Sequence, residues 1–219
     1  MWYKAEEETV KKDAATIIKT IQQGELIMNA IERKTLYFLK EGEANTDALL
    51  KFVKAYAEAA GVNHIVVAST SGETGVKASE VFKGFNVVVV THHAGFAEPG
   101  VHELAEKNRL KILKNGAQVL TATHALSSVE RAIRKELGTI QPLELIAYTL
   151  RRFGQGTKVC VEITLMAADA GLIPIDRDII AIAGSSSGAD TALLIKPANA
   201  SRFFDLKIKE IIAKPKEFE

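Results

Sequence analysis

His64-Ile65-Val66-Val67-Ala68-Ser69-Thr70-Ser71-Gly72-Glu73-Thr74-Gly75 decides the fold class of this 219-residue chain. The apolar run has no polar alternation, which marks a strand buried on both faces of a sheet, and helical sequence follows its turn at once, as in a parallel crossover. The turn also has the make-up of an anion cradle. Backbone N–H groups and Ser/Thr hydroxyls face outward in such a turn, and the opening of the next helix adds positive partial charge, so a phosphate sits there without a lysine. The stretch points to a kind of ligand and names no reaction.

Outward from it the same pattern repeats. Residues 35–39 read as a strand, residues 41–47 as a turn and helix cap, and the helix that follows runs to about Ala60. After the central stretch come a helix near 73–82, a strand at 86–91, a helix at 101–115, a strand at 118–123 and a helix at 127–137. Pro142 opens a helix to 153, and a second, at 157–170, is separated from it by Gly154-Gln155-Gly156. Three strand-like segments close the chain, at 179–183, 191–196 and 206–213, the first two joined as a hairpin. The expected fold is an α/β three-layer α/β/α sandwich, with a mainly parallel sheet and an antiparallel C-terminal edge. Residues 1–33 read as an N-terminal helical arm, on the spacing of Val10, Ala14, Ile17 and Ile21, and residues 34–219 as the α/β domain. The arm serves either its own domain or a second copy, and a homo-oligomer is expected.

Composition narrows the function classes. Twenty-eight basic residues against 27 acidic ones leave a formal charge of +1, so no global field draws nucleic acid or an anionic membrane, and any anion site is local. Apolar runs such as Val87 to Val90 are too short to span a bilayer, and the charged amino terminus is unlike a secretory signal, so a cytoplasmic protein is expected. Cys160 lies in the run Val159-Cys160-Val161 and reads as a packed thiol.

Ligands of an open parallel sheet gather outside the carboxyl ends of the strands. Polar groups recur there: Ser69-Thr70-Ser71, then Thr91-His92-His93, then Thr121-Ala122-Thr123-His124. Adjacent side chains on extended backbone face opposite ways, so His92 and His93 do not both line one site. No metal site is expected, since the nearby carboxylates Glu98 and Glu103 follow a loop of undefined path. Glu162 lies inside an apolar helix, where a carboxylate either pairs with Lys158, Arg151 or Arg152 or faces the pocket. Gly184 to Thr191, with Ser185 and Ser186, forms a second hydroxyl–glycine cluster that covers a ligand or simply turns the hairpin, and Lys196 is a local cation. Neither a Walker loop nor a Gly-x-Gly-x-x-Gly fingerprint occurs, which disfavours a nucleoside triphosphatase or standard nicotinamide enzyme.

Asn45-Thr46, Ser69 to Thr74, Val90 to Phe96, Thr121 to His124, Leu150 to Gly156, Met166 to Gly171 and Lys196 to Asn199 together resemble an uncharacterised, mainly archaeal family similar to the C-terminal alpha/beta domain of pyruvate kinase. The resemblance covers about residues 34–216 and implies a phosphate-binding Ser/Thr/Gly loop formed by Ser69, Thr70, Ser71, Gly72 and Thr74. It suggests flavin mononucleotide (FMN) as a ligand, with its phosphate in the loop and its ring toward the other strand ends, and the further expected contacts are Asn45, Thr46, Thr91, His92, Thr121, Thr123, His124, Gln155, Gly156, Ser185 and Ser186. It implies no pyruvate kinase activity, because the catalytic barrel has no counterpart. Three functions stay open: a binding protein for a phosphate-bearing small molecule; a flavin-dependent oxidoreductase or acid/base enzyme on a phosphorylated metabolite, with His92, His124 and Glu162 as proton carriers; and a regulatory sugar-phosphate sensor subunit.

Overall fold

A computed structural model of the protein describes residues 31–218. The chain divides into two units, residues 1–34 and 35–219. The expected arm at residues 1–33 falls almost wholly outside the described residues, and residues 31–34 carry no regular secondary structure.

The second unit is built on seven strands: β1 (Leu36–Lys40), β2 (His64–Ala68), β3 (Asn86–Thr91), β4 (Gln118–Thr121), β5 (Ile179–Ala183), β6 (Thr191–Lys196) and β7 (Lys207–Glu217). Six helices connect them: α1 (Thr46–Ala60), α2 (Glu73–Val81), α3 (Glu106–Lys114), α4 (Ser128–Leu137), α5 (Pro142–Arg151) and α6 (Gln155–Asp169). The strands lie in the order β1-β7-β6-β5-β2-β3-β4. Only β6 pairs antiparallel with its neighbours, so the other six strands share one direction.

Strand pleating explains the layers. Along β2, Ile65 and Val67 join Leu49, Val53, Phe82 and Ile112 of α1 to α3 and their flanks, whereas Val66 joins Cys160, Ile163 and Met166 of α6. Val87 and Val89 against Val88 and Val90 in β3, and Ile180 and Ile182 against Ile179, Ala181 and Ala183 in β5, divide the same way. Both faces are thus covered by helices, which is why these strands are apolar throughout. Helix α6 is covered in turn, since Val161 and Leu165 pack with Leu143, Ile146 and Leu150 of α5, so it too is apolar nearly all round.

Several boundaries and one sheet position differ from the sequence reading: α6 opens at Gln155, within the expected Gly154-Gln155-Gly156 break, and β7 runs on to Glu217. Helix α3 starts at Glu106 because residues 95–101 close a tight loop, with Gly95 N–H donating to Val101 O at 2.9 Å and Val101 N–H to Glu98 O at 3.1 Å. Strand β4 stops at Thr121, where its pairing with Thr91 ends. The hairpin of β5 and β6 forms as expected, but the antiparallel strand lies inside the sheet, because β7 pairs on its other side and β1 then adds in parallel, Leu36 opposite Ala213. The outermost strands are β1 and β4.

Candidate functional site

Strand order turns at β2. From there β3 and β4 follow on one side, while β5 lies on the other. Loops leaving neighbouring strands at such a switch point diverge and leave a crevice outside their carboxyl ends. A cavity of about 530 Å³ occupies that place, walled by Ser69, Thr70, Ser71, Glu73 and Thr74, by Thr91 and His92, by His124, by the pocket face of α6 and by residues 184–188.

The loop after β2 is organised by its own first hydroxyl. Ser69 N–H donates to Val90 O at 2.9 Å, extending the sheet by one residue, and Ser69 Oγ accepts from Gly75 N–H at 3.0 Å in the first turn of α2. Gly72 adopts φ 93° and a Cβ there would sit 2.6 Å from Asn108 Cβ, so only glycine brings the loop this close to α3. Asn108 fastens the loop through Nδ2, which donates to Ser71 O at 3.0 Å. Ser71 Oγ accepts only a long bond from Glu73 N–H, 3.5 Å. The N–H groups of Thr70, Ser71, Gly72 and Thr74 have no protein acceptor among the described residues. Four free donors at a helix opening form a nest for an oxyanion.

Across the cavity the loop of residues 184–188 is held by Asp190, which is fully buried. Its Oδ2 accepts from Gly42 N–H at 3.0 Å, from Ser185 N–H at 3.3 Å and from Ser185 Oγ at 2.9 Å, and its Oδ1 accepts from Thr191 Oγ1 at 2.7 Å. Thr46 Oγ1 accepts from Ala189 N–H at 2.9 Å, and Ser187 Oγ donates to Glu43 Oε2 at 2.9 Å. The hairpin connection is therefore docked on the loop after β1 rather than loose.

The third wall carries rings and ionisable groups. His92 lies against Phe96 with centroids 3.9 Å apart, His124 lies 5.2 Å from His92 and 5.1 Å from Phe96, and Arg131 caps Phe96 at 4.5 Å. His92 Nδ1 is bonded to Glu103 Oε2 at 2.8 Å and its Nε2 approaches Thr70 Oγ1 at 3.4 Å, which ties the ring wall to the nest. Behind it, Lys158 and Glu162 of α6 form a buried ion pair one helical turn apart, and Glu162 Oε1 also accepts from Leu126 N–H at 3.0 Å. Glu162 Oε2 stands 3.8 Å from His124 Nδ1. Burial lowers the His124 pKa to about 4 against the opposing pull of the Glu162 carboxylate, so the ring is neutral at pH 7. Burial likewise lowers Lys158, with Glu162 opposing the shift.

Of the sequence candidates, Thr46, Ser69, Thr70, Ser71, Thr74, Thr91, His92, His124, Glu162, Ser185 and Ser186 meet around this cavity. The two readings of Glu162 coincide, since it pairs with Lys158 and also lines the cavity. His93 is not part of the cavity lining but packs edge-on against Phe96 and His124, with centroids 5.6 and 5.3 Å apart, and its Nδ1 is bonded to Ala94 O at 2.7 Å. Asn45 instead donates to Lys40 O at 2.8 Å, and Thr121 is bonded to Thr91 Oγ1 at 2.7 Å, which occupies both hydroxyls across a β3–β4 pair. Thr123 lies exposed beyond the end of β4. Gln155 accepts from Arg151 Nε at 2.8 Å, and Gly156 gives α6 its close approach to Thr191. Lys196 ends the one antiparallel strand and so lies at the opposite rim of the sheet. Phe96 and Asp190 were not among the candidates, and Lys158 entered only as a pairing partner of Glu162, four residues on along the helix. Among the described residues no cluster of three metal-ligating side chains occurs, and no helix is long and apolar enough to cross a membrane.

A family model described as pyruvate kinase, alpha/beta domain, matches residues 47–195. Among solved structures, Cryptosporidium parvum pyruvate kinase in complex with ADP is 16% identical with a TM-score of 0.33, the match covering 68% of this chain and 22% of that one. A second structure of C. parvum pyruvate kinase is 13% identical over the same shares, with a TM-score of 0.32. The chain thus spans 22% of the length of the enzymes it matches.

Proposed function

The chain belongs to the pyruvate kinase alpha/beta domain family, and from that premise we propose that it binds a phosphate-bearing small molecule, FMN being the named candidate, without pyruvate kinase activity. The observation that carries this reading is the set of N–H groups at Thr70, Ser71, Gly72 and Thr74 with no protein acceptor among the described residues, in a loop that borders a cavity with an adjoining aromatic wall. A phosphate accepts from the nest and the dipole of α2, and a planar ring system packs on His92, Phe96 and His124. A cavity of about 530 Å³ lies within the range of cofactor sites.

The assay is titration of the protein with FMN and with riboflavin, followed by flavin fluorescence. Losing the charge-assisted bonds of the phosphate costs about 2 kcal/mol or more, so riboflavin binds at least roughly 30-fold more weakly. Equal affinities would remove the nest from the reading. Native mass spectrometry of protein purified without added ligand is the complementary measurement, an FMN adduct being the expected mass.

A second reading, an acid/base or flavin-dependent enzyme acting on a phosphorylated metabolite, is favoured by one specific arrangement. Lys158, Glu162 and His124 form a buried proton-holding group on the cavity wall. In that role neutral His124 accepts or relays a proton and the Lys158–Glu162 pair sets its orientation. Turnover that disappears in His124→Gln while FMN affinity is kept selects this reading.

A further inference from the structure

A second chamber of about 420 Å³ adjoins the first, and Phe96, His124, Arg151 and Lys158 line both. It lies between the loop after β4, α4 and α5, on the side of the ring wall away from the nest. Glu130 and Glu144 are its lining carboxylates, and Glu130 Oε2 accepts from Leu143 N–H at 2.9 Å. Arg134 is neutralised by Glu144 at 3.0 Å and Lys158 by Glu162, but Arg131 and Arg151 have no carboxylate partner among the described residues. Both guanidinium groups are instead braced by aromatic rings, Arg131 over Phe96 at 4.5 Å and Arg151 over Tyr148 at 5.4 Å, and Arg151 is fixed further by Gln155 at 2.8 Å. Bracing of this kind holds a guanidinium in place while leaving its N–H donors for an oxyanion. The same chamber holds an unsatisfied acceptor, since Glu144 Oε2 is buried without a hydrogen-bond partner.

We propose that this chamber is a second anion subsite, in which Arg131 and Arg151 take a carboxylate or phosphate group and Glu144 accepts from a hydroxyl or amino group beside it. The occupant is a small hydroxylated or aminated anion, held next to His124 on the far side of the ring wall from the nest. This deepens the function proposed above and rests on it only for what fills the first cavity. The anionic group belongs either to the far end of the same ligand or to a separate co-substrate.

The test uses the full chain and inorganic phosphate as probe, read by ¹H–¹⁵N spectra that follow backbone amides and arginine Nε–H groups. Expected are two saturation curves, one at the amides of residues 70–74 and one at Arg131 Nε, Arg151 Nε and the amides of Leu126 and Ser127. In Arg131→Gln/Arg151→Gln the second curve weakens at least about tenfold while the first is unchanged, and Arg131→Lys/Arg151→Lys restores part of it. In Ser71→Asp the first weakens and the second stays. A chamber curve that is absent, or unchanged in the glutamine double variant, overturns the proposal. Loss of the curve at residues 70–74 alone, with the chamber curve intact, overturns the nest reading and supports the chamber. Repeating the titration with saturating FMN separates the sources: a chamber curve that persists assigns the anion to a co-substrate, and one that is blocked assigns it to the flavin-bearing ligand.

Discussion

Asp190→Asn is the substitution that most directly tests how the cavity is assembled. The side chain keeps its size, loses its charge and exchanges one acceptor oxygen for an NH₂ group. Three donors converge on Oδ2, from Gly42 N, Ser185 N and Ser185 Oγ, so the amide oxygen takes that position and the NH₂ group faces Thr191, whose hydroxyl can turn to accept. The three bonds that remain fall from charge-assisted to neutral strength, a loss of roughly 1 kcal/mol each. Relief of the buried charge returns part of that, leaving a net cost of about 2 kcal/mol. Asp190→Ala costs more, about 3–5 kcal/mol, because the Gly42 and Ser185 N–H groups lose their acceptor. Urea denaturation followed by circular dichroism measures the stability change. Hydrogen exchange locates it: faster exchange at Gly42 and Ser185, with β2 and β3 unchanged, identifies the loop of residues 184–188 as the part released. A change below about 0.5 kcal/mol in Asp190→Asn, with protection at both amides intact, would refute the view that this carboxylate clamps the far wall of the site.

His124 binds a proton in the unfolded chain near its ordinary pKa of 6.5 and in the folded chain only at about 4, so stability falls as pH drops through that window, by at most about 3 kcal/mol, and His124→Asn flattens the dependence in urea melts at pH 7 and 4.5. Gly156→Ala places a Cβ 2.2 Å from Thr191 Oγ1 and 2.5 Å from Thr191 Cβ, at a residue that is fully buried and bonded to Asp190, so it destabilises by about 3 kcal/mol in equilibrium unfolding. Cys160 is fully buried, donates to Ala181 O at 3.3 Å and has its thiol pKa raised by burial, so thiol-specific reagents label it only at the rate of global opening in the native protein.

Much of the site was legible because its chemistry is local. Ser69, Thr70, Ser71 and Thr74 are within one loop, and a hydroxyl–glycine turn between an apolar strand and a helix suits an anion as well as an ordinary helix cap. His92 and His124 were legible one level up, as polar residues at the carboxyl ends of successive parallel strands. Thr121 misled for the same reason that it attracted notice. Its place at the end of β4 is real, but strand register sets it opposite Thr91, and the two hydroxyls satisfy each other. Asp190 escaped because its bonds to Ser185 and Thr191 are those of an ordinary hairpin loop, and the distant donor, Gly42, reaches it only by folding.

What the sequence determined by itself is the layer architecture and the make-up of the loop proposed to hold the anion, since strand burial, helix period and turn chemistry are properties of a few consecutive residues. Which strands are neighbours was decided only in the tertiary structure. The pairing of β7 with β6 encloses the antiparallel strand, and the return of β1 to pair with β7 brings residues 42–46 to the loop of residues 184–188. Likewise, Lys158 and Glu162 adjoin by helical spacing alone, but their meeting with His124 depends on the packing of α6 beneath the loop after β4. Pairing across such distances in sequence is set by how whole faces bury one another, and no short-range pattern records it.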